Sequence, residues 1–168
     1  ILTEFKELAN TSEKYFYDNT GKLIQVLEVA PNYYFRADFK YNTGSNKINS
    51  AKFYRSPTNF WKSVSYNYDS NGNVIKITST APNAVLNRTY DNKNNPFVNV
   101  NWELEDHDLL RNDWYQSSKN NCISASGGTS SGGSGSATFT YTYDSDNFPI
   151  TRIEKNGSTI IETITYQY

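Results

Sequence analysis

The stretch Ser63-Val64-Ser65-Tyr66-Asn67-Tyr68-Asp69-Ser70-Asn71-Gly72-Asn73-Val74-Ile75-Lys76-Ile77 decides the fold. Val64, Tyr66 and Tyr68 fall on one side of an extended chain and Ser63, Ser65 and Asn67 on the other. That period of two belongs to a half-buried strand. Asp69 then opens a turn, because a carboxylate at the first turn position can accept the N–H two residues on. Gly72, three residues after the Asp, reaches the left-handed region cheaply, as a type I turn with a following bulge requires. Val74, Ile75 and Ile77 leave as a second strand. The unit is a β-hairpin.

The unit recurs as Tyr15-Phe16-Tyr17-Asp18-Asn19-Thr20-Gly21, as Tyr90-Asp91-Asn92-Lys93-Asn94, and as Tyr141-Thr142-Tyr143-Asp144-Ser145-Asp146-Asn147. Three residues after each Asp stands Gly21, Gly72, Asn94 or Asn147, and six after it Ile24, Ile75, Phe97 or Ile150. Asn42-Thr43-Gly44-Ser45-Asn46 is a degenerate copy with Asn42 in place of Asp. Between copies, Ala30-Pro31-Asn32, Ser56-Pro57-Thr58-Asn59 and Ala81-Pro82-Asn83 break the strands. Leu86 to Tyr90 and Phe97 to Val100 read as another hairpin, Asn156-Gly157 as a final tight turn, and Thr159 to Tyr168 as the closing strand.

Two segments depart from the pattern. Residues 101–122 read as an irregular excursion, with Asp106 or Asp108 able to cap a short helix carrying Leu109, Leu110 and Trp114. Residues 124–136, rich in Gly and Ser, read as a mobile loop. The expectation is one all-β domain over 1–168: an antiparallel meander of ten to twelve strands, curled into a half-open or closed barrel, with one short helical excursion.

Composition agrees with an ordered β chain: 168 residues, 14 Tyr, no Met, and aromatics at 15%. A net charge of -1 argues against nucleic acid as a partner. No apolar run approaches the roughly 18 residues of a membrane helix. The single cysteine, Cys122, excludes an internal disulfide. The start at Ile1, without an initiator Met, suggests processing or truncation.

The Tyr-Asp-x-x-Gly copies resemble the YD repeats of bacterial Rhs toxins and teneurins. A closer resemblance is to exported lipoproteins of Bacteroides and its relatives, a domain of unknown function with a porin-like fold. It is carried by Asn92–Phe97 together with Lys119–Asn121 and covers residues 15 to 168. The resemblance implies a curved antiparallel sheet in an exported protein of the periplasm or cell surface. A lipid anchor would lie outside these residues, since no Cys stands near Ile1. No catalytic residue carries over.

Several clusters deserve weighing. Glu103, Glu105, Asp106, His107 and Asp108 form the densest charged group and hold the only histidine; a metal or acid–base site competes there with a solvated loop or helix cap, and the latter is preferred. Cys122 and His107 would make a thiol–imidazole pair, but a free Cys is more often a buried small hydrophobe. Asp69–Asn73 imitates the start of a calcium loop, yet its Gly stands at position four and Thr80 at position twelve, so it reads as a turn. Trp61, Trp102, Trp114 and the Tyr ladder read first as core, and second as a stacking platform for sugars or an apolar lining. No residue is therefore assigned a catalytic, cofactor or metal role, and the ligand-binding residues stay unassigned. The expected function is that of a non-enzymatic binding or structural module of the envelope, with an unknown ligand or protein partner. A carrier of a small hydrophobic ligand or lipid, or a glycan binder, is the alternative, and a hydrolase the third.

Overall fold

The computed structural model of the chain describes residues 2–8, 11–98, 118–129 and 134–168. They form twelve strands: β1 (Leu2–Leu8), β2 (Thr11–Tyr17), β3 (Leu23–Ala30), β4 (Tyr33–Tyr41), β5 (Ile48–Tyr54), β6 (Phe60–Tyr68), β7 (Val74–Thr80), β8 (Asn83–Tyr90), β9 (Cys122–Thr129), β10 (Ser134–Tyr143), β11 (Pro149–Asn156) and β12 (Thr159–Thr165). Their order in the sheet is their order in the chain. Apart from the β8–β9 connection, the links are turns too short for a crossover, and pairing is antiparallel wherever its register is defined.

The expected barrel is not there. A closed barrel joins its first and last strands, whereas β1 and β12 stand at opposite ends of a linear order. The hairpin turns add strands locally but fix neither the stagger nor the tilt that closure needs, and open sheets of this strand number do occur. No helix is found among the described residues. The expected helical excursion lies outside them as far as residue 117; Ser118 to Asn121 is irregular and Cys122 opens β9.

The chain divides into two compact units. The first holds Ile1–Tyr66 and Thr78–Ala84, the second Asn67–Ile77 and Val85–Tyr168. In the first unit the cleanest alternation of the sequence becomes the core: Phe35, Ala37 and Phe39 of β4 are buried with Val26, Ala51, Phe53 and Val64. The register Val26↔Ala37↔Phe53 aligns them across three strands. In the second unit Cys122, Ala125 and Phe139 form a smaller core under Leu86, Tyr90, Ala137 and Tyr141.

The turns show why Asp recurs. One oxygen of Asp18 accepts from the N–H groups of Thr20 and Lys22 at 2.8 and 3.0 Å. Asp69 does the same for Asn71 and Asn73, and Asp144 for Asp146 and Phe148. Gly21, Gly72 and Asn147 take φ of 83°, 89° and 64°, as their offset predicts. The buried residue lies one place before the apolar position read from sequence: Leu23 is 4% exposed and Ile24 40%. Val74 and Pro149 are likewise buried while Ile75 and Ile150 face out.

At Asp91 the pattern is interrupted, which corrects the hairpin expected at Phe97–Val100. Asp91 Oδ1 accepts from Lys93 N at 2.9 Å, but its second N–H comes from Asn121, thirty residues on, at 3.1 Å. Asn121 O in return accepts Asp91 N. Asn121 thus occupies the place that Lys22, Asn73 and Phe148 hold in the other turns, and Cys122 the place of Leu23, Val74 and Pro149. Phe97 and Val98 lie in a local turn, and residues 99 and 100 lie outside the described residues. The Asp91 turn is the same turn opened by an insertion.

The Gly/Ser-rich stretch also departs from expectation. Gly127 and Gly128 belong to β9 and pair with Gly135 and Ser134 of β10. What remains between the two strands, residues 130–133, lies outside the described residues. Pairing with two neighbours satisfies backbone groups that the side-chain composition alone cannot.

Candidate functional site

Most of the polar chemistry in the second unit is consumed in holding turns together. Asn73 and Asn120 exchange hydrogen bonds: Asn73 Nδ2 donates to Asn120 Oδ1 and Asn120 N to Asn73 Oδ1, each at 3.0 Å. Asn120 Nδ2 reaches Lys93 O, Asn95 Nδ2 reaches Ser118 O, and Asn121 Nδ2 reaches Asn94 O. Lys93 Nζ donates to Asn147 Oδ1 at 2.6 Å. Tyr143 OH donates to Asp91 Oδ2; burial, then that carboxylate, push the hydroxyl well above its ordinary range. Asn73, Asn95, Ser118, Asn120 and Asn121 are all buried, and a buried amide needs such partners. Asn94, Asn95, Asn120 and Asn121, which carry the sequence resemblance, therefore clasp turns.

The tyrosines have a matching task. Tyr41 OH donates to Leu23 O, Tyr90 OH to Val74 O, Tyr141 OH to Cys122 O and Tyr168 OH to Pro149 O, at 2.7 to 2.9 Å. Each hydroxyl seizes the carbonyl of the first residue of the strand that leaves an Asp turn. The sequence shows the repetition of Tyr but not the carbonyl it serves.

His107, Glu103, Glu105, Asp106 and Asp108 lie outside the described residues, as do Trp102 and Trp114. Cys122 is buried, and burial pushes its thiol up to about 11. At neutral pH it is a protonated, inert thiol. Asp69 spends its carboxylate on Asn71 N, Asn73 N and Asn73 Nδ2, all at 2.9 Å, so the calcium-like stretch is a turn. Among the described residues no group of three or more His, Cys, Asp or Glu could hold a metal.

What remains is a surface of the first unit, on the face opposite its core. The register runs Lys14↔Leu27↔Arg36↔Tyr54↔Phe60, placing these side chains in one row across β2 to β6. The Arg36 guanidinium lies 3.7 Å from the Tyr54 ring centroid, and Tyr54 meets Phe60 edge-on at 5.8 Å. Phe60 is 48% exposed. The next row is polar: Gln25, Asp38, Lys52 and Ser63, with Gln25 Nε2 donating to Asp38 Oδ1 at 2.7 Å. The β3–β4, β5–β6 and β7–β8 turns, which hold Pro31, Pro57 and Pro82, connect strands at the same end of the unit, next to the aromatic row.

Trp61, singled out in the sequence, sits at a β-bulge of β6. The register shifts between Phe53 and Tyr54, whose partners are Lys62 and Phe60, so Trp61 is the extra residue. The Arg55 guanidinium stands 3.9 Å from its ring centroid and Lys62 Nζ 4.2 Å. Alternation alone does not single out Phe60 or Arg55; the bulge does, and a bulge leaves no mark in residue type.

No protein-family model matches the chain, and no curated protein matches it significantly. Among solved structures, the chain is similar in fold to a porin-like protein from Bacteroides uniformis, with a TM-score of 0.56 at 12% identity over 92% of this chain. It spans 66% of that protein's length. A porin-like protein from Bacteroides vulgatus aligns over 94% of this chain and 92% of its own, at 12% identity and a TM-score of 0.49. The chain thus shares an all-β fold with a porin-like protein of Bacteroides, distant in sequence.

Proposed function

We propose that the chain is a non-enzymatic binding module exported to a bacterial envelope, and that it binds a glycan on the face of β3–β6 opposite the core. The observation that carries this reading is the outward row Leu27, Arg36, Tyr54 and Phe60, flanked by a row of hydrogen-bonding side chains. A sugar ring offers an apolar C–H face to an aromatic platform and hydroxyls to the polar groups around it. The envelope setting is supported by the fold shared with a porin-like Bacteroides protein and by the resemblance of the YD-type repeats to exported lipoproteins. A hydrophobic-ligand carrier using the core face has less support, because Phe35 and Phe53 pack against one another there at 5.9 Å.

The test is a glycan array followed by calorimetry on the best binder. Phe60→Ala is expected to weaken binding about tenfold or more, on the scale of one lost aromatic anchor. Its stability should stay within about 1 kcal/mol of the parent, since the ring is half exposed. Unchanged affinity in that variant would remove the platform from the binding surface.

A further inference from the structure

We propose that β12 is a self-recognising edge, which pairs antiparallel with β12 of a second copy of this chain about a two-fold axis at Thr163. β12 closes the strand order, and among the described residues only β11 pairs with it. Which of its backbone groups face the open side follows from the ladder. Tyr166 N donates to Ile150 O at 2.9 Å, and the pairs Arg152↔Ile164 and Glu154↔Glu162 continue that alignment. Bonded and non-bonded pairs alternate in an antiparallel ladder. Ile164 and Glu162 therefore turn their N–H and C=O groups toward β11, and Thr163 and Thr165 turn theirs outward. Ile161 is the extra residue of a bulge, after which Glu162–Thr165 runs regularly.

Composition leaves this edge unguarded. Charged side chains and proline are what blunt an edge strand. β1, at the other end of the order, carries Glu4, Lys6 and Glu7 among its seven residues. β12 has no proline and one charged residue, Glu162, which is taken up by Arg152. Its own sequence also supplies a fitting partner. A two-fold centred on Glu162 would set two carboxylates opposite one another, which is destabilising. Centred on Thr163, the outward N–H and C=O groups of the two copies meet directly and Thr163 faces Thr163, a favourable cross-strand pair. Glu162 then lies opposite Ile164 of the second copy. Such a contact uses the same surface twice and closes at two copies.

The experiment is sedimentation velocity on the whole chain over a range of concentrations, with the expected passage from monomer to dimer and no further. Thr163→Pro removes an N–H that faces away from β11, and should weaken the dimer about tenfold or more. Thr163→Cys keeps that N–H and tests the register even if the proline variant fails to fold. Its two Cα atoms would stand about 5.5 Å apart across the axis, within the span of a disulfide. Mild oxidation should therefore give a covalent dimer, to which the buried Cys122 does not contribute. Thr140→Cys, exposed on β10 between β9 and β11, should give none. A monomer at every concentration overturns the self-pairing and leaves the edge to a strand of another protein. Masses that climb past the dimer set β12 against β1 of the next copy and overturn the two-fold. A dimer indifferent to Thr163→Pro, or equal cross-linking by the two cysteine variants, places the contact elsewhere.

Discussion

Tyr141 shows what a single atom does in this protein. Its hydroxyl donates to Cys122 O at 2.9 Å, closing the strand that returns from the interrupted turn. Tyr141→Phe keeps the ring and orphans that carbonyl; the expected loss is about 1 kcal/mol in urea unfolding, with no change in the m-value. Asp69 is the corresponding residue for charge. Burial pushes its carboxyl up, but the hydrogen bonds from Asn73, Asn71 and Gly72 outweigh that and hold it below its ordinary value. A depressed carboxylate contributes stability that is present above its unfolded value of about 4 and lost as pH falls through the folded one. Asp69→Asn should therefore be less stable at neutral pH and show a shallower loss of stability below about pH 4, read by unfolding midpoints across that range. The Asp and Gly of these turns were legible in the sequence because their chemistry is local. Which residue after the turn is buried was not legible, since Leu23 and Ile24 are both apolar and only the bulged turn decides which faces in.

At the scale of the element, β9 and β10 make the sharpest contrast between composition and structure. A Cβ on Gly127 would lie 2.7 Å from Val85 O and 3.0 Å from a Leu86 methyl, whereas one on Gly135 meets nothing within 4 Å. Gly127→Val is expected to cost about 1–3 kcal/mol, because a neighbouring backbone cannot yield as a side chain can. Gly135→Ala should be neutral or slightly stabilising; equal effects of the two in urea unfolding would refute the close approach. Sequence reading made a loop of this stretch because Gly and Ser bring no apolar stripe, and close packing by absence of a side chain is invisible in composition. The same limit hid the platform: Tyr54 and Phe60 become neighbours only through strand register. Phe97 misled for the opposite reason. It stood at the right offset, but an insertion had carried the true counterpart, Ile123, out of range, and Ile123 is exposed like Ile24 and Ile75.

For the whole molecule, the meander was legible and its closure was not, because turn residues specify neighbours while closure depends on stagger summed over every strand. Strands β6, β7 and β8 each give residues to both units, so no single cut in the chain separates the two. At one end of the strand order, β12 exposes Ile160 and Ile161 and has Glu162 as its one charged residue, paired with Arg152 at 2.5 Å. Strand edges of that composition invite further pairing. Ile161→Lys should leave the unfolding midpoint within about 0.5 kcal/mol and reduce concentration-dependent light scattering. Unaltered scattering would show that this edge is not where copies associate.

The interrupted turn also sets an order of assembly. Nearly all strand pairings join chain neighbours across a few residues, so their closure carries little entropy, while Asp91 and Asn121 must meet across thirty. As a chain grows from its N-terminus, β1 to β8 can zip before Ser118–Asn121 has emerged. The Asp69 turn then waits with its work half done: Val74 N has its Ser118 hydroxyl forty-four residues downstream, and Asn73 its amide partner forty-seven downstream. Arrival of Ser118–Asn121 completes two turns at once, which makes this short segment the latch that admits β9 to the growing ribbon.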